Sequence, residues 1–173
     1  MNRLLLGNAI SMAGCILMVI VGYIKKRERV IAVQTGQFML MALGNGILGG
    51  ATGSVTNLIS AFRNFLVYKK WINWPVKILI AASLVGLGLA FNTNGLWGIL
   101  PLLATVPYTL LMDIKSDIGL KVMLMATCVP WLIYDLHLMN YAALPFDAGF
   151  IISSCIGIYR IKKDEGTEND KEV

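Results

Sequence analysis

An internal repeat joined by an odd spacer constrains this chain more than any other feature. Phe38–Lys70 aligns without gaps on Trp131–Lys163, a shift of 93 residues. Both segments are apolar. Leu58-Ile59-Ser60 matches Ile151-Ile152-Ser153, and both segments end in a basic pair, Lys69-Lys70 and Lys162-Lys163. The shift accommodates three membrane-crossing helices plus one more. An odd helix between two three-helix units lets both units face the same way across a bilayer.

The charge pattern supports that reading. The 173 residues are 57% hydrophobic and 14% charged, less charged than a soluble domain of this size. Leu4 to Ile24 and Ile78 to Met112 carry no charge, and Val30 to Tyr68 carries only Arg63. About 20 apolar residues span the hydrocarbon layer as a helix, so the chain reads as a polytopic membrane protein. The net charge of +5 lies in short segments at separate span ends rather than on one soluble face, which excludes a nucleic-acid partner. Membrane lipid and a small-molecule substrate are the partners this plan admits, together with self-association as a homo-oligomer.

Seven spans are expected: Leu4–Ile24, Val30–Leu48, Ala51–Tyr68, Val76–Phe91, Leu96–Met112, Val122–Met139 and Leu144–Ile161. Gly49-Gly50 and Gly53 mark a tight return between the second and third. Pro75 suits the first turn of the fourth. The fold class is therefore all-α, with residues 4–70 as one three-helix repeat, 75–92 as a linker helix and 96–163 as the second repeat. The charged tail, 164–173, is expected to fray on the cytoplasmic side. Met12-Ala13-Gly14-Cys15 loosely resembles a lipoprotein cleavage box, but the apolar run continues to Ile24, so a retained span is expected.

Lys and Arg alternate between the connections. Lys25, Lys26, Arg27 and Arg29 follow the first span, Lys69, Lys70 and Lys77 the third, and Lys115 and Lys121 the fifth. Arg160, Lys162, Lys163 and Lys171 follow or close the seventh. The other connections have none, which predicts an outside N-terminus and a cytoplasmic C-terminus. Arg3 alone sits on the disfavoured side.

No catalytic or metal-binding constellation is present, no cofactor is implied, and the chain does not read as an enzyme. His137 is the only histidine, without a nucleophile and an orienting acid readable around it. Cys15, Cys128 and Cys155 lie in apolar runs without metal-like spacing and read as small buried hydrophobes. The third span holds the most polar stripe: Gly53, Thr56, Asn57, Ser60 and Asn64 recur at helical spacing. They line a solute path or pack helices together. Ser153 is the matching polar position of the seventh span. Arg63 either snorkels to the headgroups or contacts an anion within the bundle. Asp135, His137 and Asp147 sit near the outer ends of the sixth and seventh spans, as an outer vestibule or as interfacial residues. Pro101, Pro107 and Pro130 interrupt helical hydrogen bonding, as hinges or static kinks. Gly14 occupies the position matching Pro107 and is a softer break.

Gly49-Gly50-Ala51-Thr52-Gly53 with Asn57-Leu58-Ile59-Ser60-Ala61-Phe62-Arg63-Asn64 resembles the third-helix signature of the YgjV-like bacterial inner-membrane proteins. Pro130-Trp131-Leu132-Ile133-Tyr134 and Ile156-Gly157-Ile158-Tyr159-Arg160 resemble that family's C-terminal part, and Asp147 matches its acidic residue early in the last helix. The family is distantly similar to the SWEET and PQ-loop group, which shares the three-one-three plan. The resemblance implies a parallel-repeat membrane fold in the bacterial inner membrane and no particular chemistry. Pro107 is followed by Tyr108 rather than Gln, and Asn57 is matched by Phe150, so sugar transport is not implied. A small-solute carrier working by alternating access is the expected function, with a non-transporting receptor or scaffold as the alternative.

Overall fold

The structure is a computed structural model that describes residues 2–112 and 116–169, with side chains through Lys163. Asp113, Ile114, Lys115 and Lys171, expected in cytoplasmic segments, lie outside the described residues. Among the described residues seven α-helices follow one another: α1 Arg3–Tyr23, α2 Arg27–Leu48, α3 Ala51–Tyr68, α4 Trp74–Ala90, α5 Leu100–Leu111, α6 Asp117–His137 and α7 Ala143–Asn169. Each overlaps one expected segment, with α6 starting five residues before the expected Val122.

The boundaries follow local chemistry. Asn2, Asn73 and Ser116 cap α1, α4 and α6 by accepting from the backbone N–H of Leu4, Val76 and Gly119. Each satisfies a donor that the first helical turn leaves unpaired. Gly49 closes α2 in the left-handed region at φ 94°, where a β-carbon would be strained. α3 has no capping side chain of its own. Instead Tyr134 of α6 accepts a hydrogen bond from Gly53 N–H at 3.0 Å.

Three expectations are corrected. The fifth span opens with a 3-10 turn, Gly95–Ile99, so α5 is only 12 residues long. Pro101 then falls in the first turn of α5, where no intrahelical donor is needed, so it interrupts nothing. Pro107 and Pro130 do lie inside helices. The seventh helix runs past its expected end at Ile161, because α7 continues to Asn169.

The connections segregate to two ends of the bundle. At one end Arg27 donates to Met112 O, Lys121 Nζ to Gly22 O at 2.6 Å, and Lys77 Nζ to Leu110 O at 3.4 Å. These contacts tie the α1–α2, α3–α4 and α5–α6 connections together. The acceptors sit at helix C-termini, where the macrodipole favours a cation. At the other end Asn8 donates to Met139 O, Ala142 N–H donates to Asn8 Oδ1, and Arg3 donates to Ile47 O. Trp97 stacks on His137 with ring centres 5.1 Å apart. The basic residues of the connections therefore gather at one end, with Arg3 at the other.

The distribution of polarity is inverted relative to a water-soluble bundle. Arg63, Asn45, Asn64, Thr52, Thr56, Thr109 and Ser153 are fully buried, while Leu5, Leu43, Phe62, Leu79, Leu103 and Ile152 are exposed. Small residues bring helices into close contact, as expected where lipid supplies no hydrophobic drive between them. A β-carbon at Gly44 of α2 would overlap Ser11 of α1, and one at Gly22 of α1 would overlap Ser153 of α7. Among the described residues four helices, α1, α2, α6 and α7, are long and apolar enough to cross a membrane. α4 and the Gly95–Leu111 segment are apolar but shorter.

Candidate functional site

A cavity lies at the centre of the bundle. Cys15 and Met18 of α1 line it, with Gln34, Gln37, Phe38 and Met41 of α2 and Asn57 of α3. Ala104, Thr105 and Tyr108 of α5 complete the wall with Leu124, Thr127, Cys128, Trp131 and Asp135 of α6 and Ala143, Asp147 and Phe150 of α7. Six helices thus contribute, and α4 does not. The space open to the centres of water molecules is about 70 Å³, enough for roughly five waters or a solute of a few heavy atoms. Toward the basic end an apolar layer containing Val21, Val30 and Leu120 packs with Tyr108, Leu124, Cys128 and Phe150. Tyr108, Leu124, Cys128 and Phe150 of this layer also line the cavity.

The lining combines an apolar, aromatic wall with a few polar atoms, the usual make-up of a small-molecule site. Most of its donors are engaged. Tyr108 OH donates to Gln34 Oε1 at 3.2 Å and Asn57 Nδ2 to Gly53 O at 2.8 Å. Thr105 donates to Pro101 O and Thr127 to Leu124 O. Asp135 Oδ1 accepts from Asn140 Nδ2 at 2.9 Å. Two buried acceptors have no partner, Gln37 Oε1 and Asp147 Oδ2.

The structure redistributes the residues expected to carry function. Of the proposed lining set, Asn57 reaches the cavity, whereas Thr56, Ser60, Arg63, Asn64 and Ser153 are buried between helices and do not line it. Thr56 and Ser153 turn their hydroxyls onto carbonyls of their own helices. Arg63 neither snorkels nor faces the cavity. Its Nη1 donates to Thr109 Oγ1 at 2.9 Å, its Nε and Nη2 donate to Asn64 Oδ1, and its guanidinium lies 4.4 Å from the Tyr108 ring centre. It therefore braces α3 against α5 one layer behind the lining.

The outer vestibule dissolves in the same way. Asp135 and Asp147 are buried in the central cavity, while His137 is exposed and stacked on Trp97. The helical turn between residues 135 and 137 separates the two by roughly 200°, at 100° per residue, so they face different surroundings. Gly14 is a packing position against Met41 and Leu40 of α2, and Pro107 is exposed on α5. Cys15 and Cys128 are buried as expected, but Cys155 is exposed on α7.

Sequence reasoning passed over Gln34 and Gln37. Their signal was present: two amides three residues apart in an otherwise apolar span share one helix face. Lys77 and Lys121 were read as loop charges, yet both are buried within helices.

A family model for bacterial inner membrane proteins, Imp-YgjV, matches residues 5–165. The chain belongs to that family. Imp-YgjV membership agrees with the apolar exterior and the four membrane-length helices, and it places the protein in the bacterial inner membrane as an integral protein. No curated protein and no solved structure matches the chain.

Proposed function

We propose that this Imp-YgjV protein is a small-solute carrier working by alternating access around the central cavity. In this reading all seven helices cross the membrane, α1–α3 and α5–α7 are parallel repeats, and α4 is the linker. One observation carries the reading. Four pairs of lining residues are related by the 93-residue repeat shift: Cys15 with Tyr108, Gln34 with Thr127, Phe38 with Trp131, and Asn57 with Phe150. A cavity enclosed by equivalent positions of two repeats is where parallel-repeat transporters bind their substrates.

Helix neighbours support the same symmetry. α1 packs on α2, α2 on α3, and α1 on α7. Exchanging the two repeats turns these into α5 on α6, α6 on α7, and α5 on α3, all of which are also packed. α4 bridges α3 and α5. In this carrier Pro107 of α5 and Gly14 of α1 are the matched points of bending. The gathering of basic residues at one end favours a cytoplasmic C-terminus and an outside N-terminus.

A thermal-shift screen of the detergent-solubilised protein against sugars, nucleosides, amino acids, amines and organic anions identifies a ligand by its stabilisation of the folded state. Flux of that compound into proteoliposomes is the expected result, with Asn57→Ala reducing it about tenfold or more, as loss of a buried polar contact would. Binding without flux would instead favour a receptor or scaffold.

A further inference from the structure

We infer that the central cavity recognises a small organic cation, an ammonium or guanidinium group held by Asp147 and Asp135 against the ring of Trp131. The inference rests on the carrier reading only for what happens after binding.

Charge and hydrogen bonding point the same way. Asp135 and Asp147 are the ionisable carboxylates of the lining, only 2% and 6% exposed, and no Lys, Arg or His shares the wall with them. Arg63 is the nearby cation, and its guanidinium is engaged by Asn64, Thr109 and the rings of Tyr108 and Phe38. The unpartnered buried atoms of the lining, Asp147 Oδ2 and Gln37 Oε1, are both acceptors. A buried carboxylate oxygen without a donor is costly, and a bound cation bearing N–H groups removes that cost. Aromatic faces around such a site add attraction for a cation. Among the described residues no group of three or more His, Cys, Asp or Glu side chains is placed to hold a metal ion, so the ligand chemistry favoured is organic.

The size of the cavity restricts the cation to a few heavy atoms in this state. Methylammonium, tetramethylammonium and guanidinium are suitable probes, with acetate, urea and sodium chloride as charge-reversed, neutral and inorganic comparisons. Isothermal titration and thermal shift are run on the full-length protein in detergent, followed by flux in proteoliposomes. The expected result is saturable stabilisation by at least one organic cation, with affinity falling about 30-fold or more in Asp147→Asn, as for truncation of one partner of a buried charge pair. Gln37→Met, which keeps the charge, should weaken binding less. If Asp147→Asn does not fold, the Gln37→Met titration and the probe comparison decide alone. Saturable cation binding without flux upholds the cation site and overturns the carrier reading. Flux of a neutral or anionic solute, with no response to the organic cations, does the reverse. Stabilisation by sodium alone, or by no probe, overturns the cation site.

Discussion

Arg63 shows how a single residue can carry structure in a low-dielectric interior. An arginine with no exposed surface survives there because its planar donors meet two acceptors and its face meets an aromatic ring. Lysine cannot reproduce the fork, and alanine leaves Asn64 Oδ1 without its donor. Arg63→Ala is expected to cost about 3 kcal/mol through the lost charge-assisted bonds and cation–π contact, and Arg63→Lys less. Melting temperatures in detergent should rank wild type, Arg63→Lys, Arg63→Ala. A full-height melt for Arg63→Ala would mean that α3 and α5 are held together by other contacts.

At the scale of helices, contact depends on the absence of side chains at a few positions. α1 crosses α2 where Gly7 and Ser11 meet Leu48 and Gly44, and a β-carbon at Gly44 has no room. Gly86 of α4 has nothing within 4 Å of the same atom. Gly44→Val should therefore push α1 from α2 and destabilise the bundle by about 2 kcal/mol, as overpacking does. Gly86→Ala should be neutral or slightly stabilising, since alanine is the better helix former. Equal loss of folded protein for the two variants, measured by size-exclusion chromatography in detergent, would contradict close packing at the α1–α2 crossing.

For the whole molecule, the segregation of connections to two ends makes a topological prediction. In a Cys155→Ser background, cysteines placed at Lys26 and Lys70 should react with an impermeant maleimide only after the cell is permeabilised. Cysteines at Thr93 and Tyr141 should react from outside. All four positions are exposed. Labelling of all four from one side would break the seven-span proposal, because it requires alternate connections on opposite faces. Reversal of the pattern would keep the spans and invert the orientation.

Helix positions were legible in the sequence because each depends on short-range information. Apolar length, Pro75 in the first turn of α4 and the left-handed Gly49 all act within a few residues. The identity of the cavity wall was not legible. The stripe of Thr56, Asn57, Ser60 and Asn64 announces a polar helix face, but a polar face in a membrane can meet another helix or a void. Only the positions of α5, α6 and α7 direct Asn57 to the cavity and Ser60 and Asn64 to packed interfaces. Asp135 and Asp147 look interfacial by distance from the span ends, whereas rotation about the helix axis turns both inward. The sequence alone determined how many helices form and roughly which stretch each occupies, since hydrogen bonding and hydrophobicity are settled locally. Which face of each helix meets solute rather than another helix was decided by tertiary packing, because it depends on partners distant in the chain.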